Sequence, residues 1–311
     1  MAHAPDIDGV LITWGDRLFY PGNRIVQVRP QPKLGASGAH QRANAIRQRI
    51  EATVVRRAPQ VMVKVTGGGR GMKAIAAHFR YISKNGRLEI EDVGGETMRG
   101  KDTLYDLADD WRFGGTLIDE QGFRREAFNI MLSMPRGTDP LAVQRAAREF
   151  AKVELADHKY VMVLHDHQAN PHVHISVRAE GRDGSRLNPH KEDLRRGRET
   201  FAERLRGLGI EAEASSQAVR GSRHHDERVW SKKRMQGRGS AAVDKQKPPR
   251  MSPSHRRAGE AWVRIAPALA ASPEQTDRDL SGAILRYVRD MPVVRAGMAR
   301  SAAQKELPGM T

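Results

Sequence analysis

Cysteine is absent from the 311 residues, which removes disulfides, thiolate metal sites and thiol nucleophiles together. Any bound metal therefore sits on nitrogen or oxygen ligands. No run approaches the length of a membrane span, and the opening MAHAPDIDGV carries acidic residues where a secretory leader needs a basic and then an apolar stretch. The expectation is a cytoplasmic protein with no membrane insertion. Acidic residues are in deficit, 37 against 53 lysines and arginines, and the resulting formal charge of +16 is scattered along the chain. Such a surface attracts polyanions. Nucleic acid is the leading partner, with an anionic membrane face or a merely solubilising charge as alternatives. There is no internal repeat, and a chain of this length is expected to build one main core with extensions.

Residues 1–60 mix a short apolar patch, a Pro/Gly-containing stretch and an arginine-rich run, and read as an N-terminal basic extension, part helical. At Val61 the texture changes. VMVKV is a β-branched strand running onto Thr66-Gly67-Gly68-Gly69, which reads as a turn. Apolar residues at helical spacing through GMKAIAAHFRYISKNG give a helix stopped by Asn85-Gly86. LEIED, AFNIMLSM, YVMVLH and HVHISV read as strands, and DTLYDLADDWR, DPLAVQRAAREFAKVEL and residues 191–208 as helices. This order implies an α+β domain over 61–215, with a central, mostly antiparallel sheet, a hairpin at its heart and flanking helices. Residues 216–311 form a basic C-terminal tail, polar at first, with AWVRIAPALAA and LSGAILRYVRDM as candidate amphipathic helices.

The most informative string is HDHQANPHVH, residues 165–174. Residues two apart on a strand share a face, so His172 and His174 present two imidazoles side by side while Val173, Ile175 and Val177 face the core. His165 ends the preceding strand, and the turn between them can bring its ring to the same side. Three neutral imidazoles leave open positions on a divalent ion, which suits a catalytic site better than a closed structural one. An isolated His-x-His is more often a surface or packing feature; the third histidine and the hairpin setting favour the metal. His167 is open between a further ligand, a partner to a ligand and an idle surface residue, and Asp166 is a candidate to orient an imidazole through its second nitrogen.

A candidate nucleophile lies in AIAAHFRYISKNG. Tyr81 stands three residues after His78, beside Arg80, with Lys84 nearby, so a phosphate approaching its hydroxyl meets cations. A phenol with pKa about 10 is a poor nucleophile near neutral pH, and stabilising charge on both oxygens lowers the barrier. Taken alone, a helix tyrosine is more often half packed and half solvated. TGGGRGMK satisfies neither G-x-x-x-x-G-K-S/T nor G-x-G-x-x-G, so an ATP loop is not expected. A glycine turn whose amides and Arg70 hold a DNA phosphate, or a plain turn, are equal readings.

Together these residues resemble the relaxases of conjugative and mobilizable elements, in the mobilization-nuclease branch that includes the T-DNA border endonuclease, within the HUH endonuclease superfamily. His172-Val173-His174 matches the histidine, hydrophobic, histidine motif, and His165 stands at the family's position seven residues before the pair. FRYISKNG matches the branch's nucleophile helix, which assigns the nucleophile to Tyr81. Ser133 in IMLSMPRGTDP matches a serine expected to help bind DNA near the scissile site, where Arg70, Arg80 and Lys84 are further DNA-binding candidates. The likeness covers residues from about Val61 to Ser215. One departure is His167, where the family commonly has an acidic residue, so the group that tunes the metal or accepts the tyrosine proton is open between Asp166 and His167.

The resemblance implies an HUH-relaxase-like fold and a site- and strand-specific nick at an origin of transfer. Tyr81 would form a covalent five-prime phosphotyrosyl adduct for conjugative transfer or plasmid mobilization. It implies magnesium or manganese, although three histidines equally suit zinc or nickel. The implied partners are single-stranded DNA at the origin, relaxosome accessory proteins and the coupling protein of a type IV secretion system, with delivery to a recipient cell attached to the DNA. Two other functions compete: a rolling-circle replication initiator, and a non-catalytic basic nucleic-acid-binding protein with a structural metal. Trp230, in the basic stretch of the tail, could stack on an unpaired base or belong to a plain linker, and His224-His225 reads as incidental.

Overall fold

The computed structural model of the chain describes residues 6–20, 36–118, 120–222 and 252–305. Trp230 and His224-His225 lie outside the described residues. The elements begin with helices α1 (Ile7–Phe19) and α2 (Ala36–Val54), then β1 (Met62–Gly69), α3 (Met72–Ile82), β2 (Ile90–Asp92), β3 (Thr97–Met98) and α4 (Asp102–Phe113). They continue with β4 (Ala127–Ser133), α5 (Pro140–Glu154), β5 (His158–His165), β6 (His172–Gly181) and α6 (Lys191–Gly207), and end with α7 (Pro253–Ala270), α8 (Gln275–Asp290) and α9 (Pro292–Lys305). Two compact units result, Ala58–Ala214 and the two flanking segments Met1–Arg57 with Ser215–Thr311.

The first unit is α+β. Its six strands pair antiparallel in the order β1-β4-β6-β5-β2-β3. Strand alternation gives the sheet two unlike faces. One face carries Phe128, Ile130, Leu132, Tyr160, Met162, Val173, Ile175 and Val177, all buried in one cluster with residues of α5 and α6. α5 can start where it does because the Asp139 carboxylate accepts from the N–H groups of Leu141 and Ala142, and Pro140 fills a first-turn position that needs no donor. The other face is covered at one end only, where Met72, Ile75, Phe79 and Ile82 of α3 meet Leu104, Leu107 and Trp111 of α4 over Val161 and Val163. The rest of that face is polar and borders a cleft, although His165, His172, His174 and Ser176 are themselves buried.

β1 is longer than the sequence suggests, because Gly67, Gly68 and Gly69 pair with Asn129, Phe128 and Ala127 rather than turning. A β carbon on Gly68 would stand 2.4 Å from the Ala127 carbonyl oxygen, and one on Gly69 2.5 Å from Ile75 Cγ1, so glycine lets the strand lie against β4 and α3. The register slips between Val65 and Gly67, which makes Thr66 a bulge.

The second unit is helical, and it differs from the expectation of one main core. Leu11, Leu18, Ile46, Ile50, Trp262, Ile265, Leu269 and Ile284 are buried together in a cluster fed by both ends of the chain. Each apolar stripe is too narrow to read as a core alone; the segments share theirs. Arg47 locks them, donating to Asp8 at 2.8 Å and to both oxygens of buried Asp277 at 2.8 and 3.1 Å.

Candidate metal centre and nucleophile

The β5–β6 hairpin positions the histidines. His165 pairs directly with His172 across the ladder, and His174 follows two residues later on the same face. The three ring centroids lie 4.7, 5.0 and 5.1 Å apart, and each ring offers one nitrogen within 4.8 Å of the others. All three are buried.

Second-nitrogen contacts fix two of the rings. Nε2 of His165 donates to the Ile82 carbonyl at 2.7 Å, and Nδ1 of His172 donates to the Asn170 carbonyl at 2.9 Å. A carbonyl only accepts, so these nitrogens carry the protons and leave His165 Nδ1 and His172 Nε2 with lone pairs. Nδ1 of His165 and Nδ1 of His174 are buried with no hydrogen-bond partner. Burial pushes His165 below its usual value, and burial together with the neighbouring His165, His172 and His78 brings His174 to about 3. Neutral, inward-facing rings with orphaned nitrogens are what a divalent ion needs, so the residues fit such an ion.

Tyr81, at the end of α3, is 70% exposed, and its ring centroid lies 6.5 Å from that of His174. His78, one turn earlier, stacks on the tyrosine at 6.1 Å and meets His174 edge-on at 6.4 Å. Burial brings His78 to about 4, which keeps it neutral, and its Nε2 has no partner. Helix α3 ends in a strained turn where Lys84, Asn85 and Gly86 take φ of 51, 58 and 78° in succession. Backbone N–H groups occupy the carbonyls of Arg80, Tyr81 and Ser83, and the Ile82 carbonyl receives His165. The helix that carries the tyrosine thus also orients a histidine of the cluster.

These groups line one cleft of about 860 Å³, which also receives Thr66, Lys84, Asn85, Arg87, Asn129, Met131, His167 and Gln168. A phenol, three imidazoles able to hold a cation and two cationic side chains converge on a space open to solvent. This set can bind and attack a phosphate ester.

Residues 81–209 match the family described as relaxase, MobA/VirD2-like, nuclease domain. This stretch is similar to a relaxase nuclease domain. The chain is similar to the T-DNA border endonuclease VirD2 of Rhizobium radiobacter, 26% identical over 185 residues, covering 52% of this chain and 43% of that protein. It is similar as well to the VirD2 proteins of Rhizobium rhizogenes, 25% identical over 52% of this chain and 42% of the relative, and of Agrobacterium fabrum, 25% identical over 38% and 30%. The match spans less than half the length of these curated relatives. A solved structure titled "Molecular Basis of Vancomycin Resistance Transfer in Staphylococcus aureus" aligns with 51% of this chain and 99% of its own, at 15% identity and a TM-score of 0.33.

Of the residues singled out in the sequence, Tyr81, His165, His172, His174, His167 and Lys84 all reach the cleft, while Asp166, Arg70 and Arg80 are exposed and do not line it. The orienting role read for Asp166 falls, at His165, to the Ile82 carbonyl. His167 is exposed, its ring centroid 5.2 Å from that of His165. Ser133 is buried opposite His172, its hydroxyl shared between the Met134 and Pro171 carbonyls at 3.4 Å each, and it does not line the cleft. Asn129, Arg87 and the bulged Thr66 line the cleft without having been singled out in the sequence. For Asn129 a signal existed: a lone amide inside the apolar strand AFNIMLS.

Proposed function

We propose that the protein is a DNA relaxase that nicks one strand at an origin of transfer and holds the five-prime end as a phosphotyrosine. The observation that carries this reading is the exposed Tyr81 ring 6.5 Å from His174, in a cleft shared with the buried triad. The Tyr81 oxygen attacks the scissile phosphorus; the Oη–P bond forms, the P–O3′ bond breaks, and the proton lost by the phenol is balanced by the one gained on the three-prime oxygen. Lys84 and Arg87 draw the strand into the cleft, and stacked His78 restricts the tyrosine ring. His165, His172 and His174 would hold the divalent ion, magnesium or manganese, which when bound supplies positive charge to a nonbridging phosphate oxygen. The bond energy stays in the adduct, so attack by the three-prime hydroxyl reverses the step and rejoins the strand.

This reading brings with it single-stranded origin DNA, relaxosome accessory proteins and a secretion coupling protein as partners, in conjugative transfer or mobilization. Among the described residues no helix is long and apolar enough to cross a membrane. The test incubates the protein with single-stranded DNA spanning a transfer origin, with and without magnesium or manganese, and resolves the products on a denaturing gel. A slowed, metal-dependent DNA–protein band is expected, lost in Tyr81→Phe. An adduct that persists in that variant moves the nucleophile elsewhere; salt-sensitive binding without any adduct favours a non-catalytic DNA-binding protein.

A further inference from the structure

The open face of the sheet continues past the histidines. On β4 and β6 the ladder pairs Ser133 with His172, Met131 with His174 and Asn129 with Ser176, so Asn129 stands one cleft-facing position beyond His174. That is about 7 Å along the strands. Ser176 is wholly buried and its hydroxyl donates to Asn129 Oδ1 at 3.0 Å. The amide is thereby held in one orientation, with Nδ2 directed to the side where Gly67 lies. Among the described residues Nδ2 makes no hydrogen bond, although Asn129 is half-buried. Nδ2 is not among the buried unpartnered atoms of the described residues, so it stays open to the cleft, where an incoming acceptor can take the place of water.

Gly67 supplies the second observation. Its neighbours Gly68 and Gly69 have no room for a side chain, whereas a β carbon on Gly67 would meet only Asn129 Nδ2, at an ordinary 3.7 Å. Packing within the chain does not demand glycine there. What glycine leaves is free space over the Asn129 amide, beside the bulge at Thr66, whose hydroxyl donates to the Asn129 carbonyl at 3.2 Å and steadies the strand. A planar ligand can lie flat against such a surface.

We infer that Asn129, held by Ser176 and flanked by the open Gly67 backbone, forms a subsite for one unpaired base of the DNA strand next to the scissile phosphate. The inference rests on the relaxase reading of the same cleft. Nδ2 donates to an acceptor on the base edge. Oδ1 already accepts from Ser176, so Nδ2 is the end of the amide turned to the base. The subsite therefore contributes sequence preference at one position, while the charged groups around Tyr81 act on every phosphate alike.

The test presents the full chain with magnesium or manganese to single-stranded DNA randomised across the nick of an origin strand, and sequences the strands recovered as covalent adducts. The wild type is expected to show base enrichment at several positions. In Asn129→Ala, enrichment at one position next to the nick falls about tenfold while the others persist. Gly67→Ala, whose added methyl fits the fold but occupies the free space, is expected to lose enrichment at that same position. Profiles identical to wild type in both variants overturn the subsite with the relaxase reading intact. Failure of the wild type to form any adduct overturns the reading itself, and the subsite with it.

Discussion

The two faces of β6 differ in what their side chains do for the molecule. Val173, Ile175 and Val177 point into the cluster over α5 and α6 and are fully buried among apolar neighbours. His172, His174 and Ser176, interleaved with them, point to the cleft face. The first set exchanges water for close packing and contributes stability. The second set buries polar atoms, Nδ1 of His174 among them without a partner, and therefore costs stability that a bound cation would recover. One strand of ten residues thus carries the fold on one side and the chemistry on the other.

Substitutions on alternate positions should separate these roles. The largest effect is expected from His174→Ala, which removes one of the three cation-holding nitrogens. Isothermal titration should show manganese affinity falling more than about a hundredfold, and adduct formation should fall with it, while the melting temperature without metal stays close to wild type. A metal-free variant melting far lower would make the ring a packing element. Next comes Ile175→Ala, on the opposite face, expected to lower unfolding free energy by about 2–5 kcal/mol in urea titrations. Adduct formation per folded molecule should be unchanged, and a loss beyond the unfolded fraction would show that the faces are coupled.

The smallest effect is on pH dependence. His78 and His174 have folded pKa values of about 4 and about 3, below the ordinary 6.5, so between these values and 6.5 the unfolded chain binds more protons than the folded one. Their contribution is fully present above pH 6.5 and is lost as pH falls toward 4 and then 3. The melting temperature of the metal-free protein should therefore drop on acidification through this window, and less steeply in His78→Phe. Equal slopes in the two proteins would mean that His78 is not held neutral.

How much of this could be read in advance follows from the distance over which each signal acts. The hairpin and its histidines are local: the period of two puts His172 and His174 on one face whatever surrounds them, and His165 is brought in by direct strand pairing. The exposure of Tyr81 and the approach of its ring to His174 need the placement of α3 over the sheet, which no short window contains. For Ser133, position in the string does not reveal that its hydroxyl is turned to the Met134 and Pro171 carbonyls. The glycines of β1 read as a turn because glycine usually breaks strands, and only β4 and α3 supply the close approach that makes them a strand. The two-residue β3 gives no periodicity to detect. The helical core escaped because its halves, such as Ile46 and Trp262, are far apart in sequence and neither is sufficient alone.

The hydrogen bond from His165 to the Ile82 carbonyl has a consequence for tolerance to motion. A reaction that needs a nucleophile and a cation at a set spacing is degraded by relative drift, not by drift shared by both. Here the end of α3 is the common reference mark: Tyr81 is the residue before Ile82, and His165 is gauged from the Ile82 oxygen. When the helix end shifts, His165 shifts with it, and the spacing error is smaller than the movement of either part. The left-handed run Lys84-Asn85-Gly86 is what stops the helix at that mark.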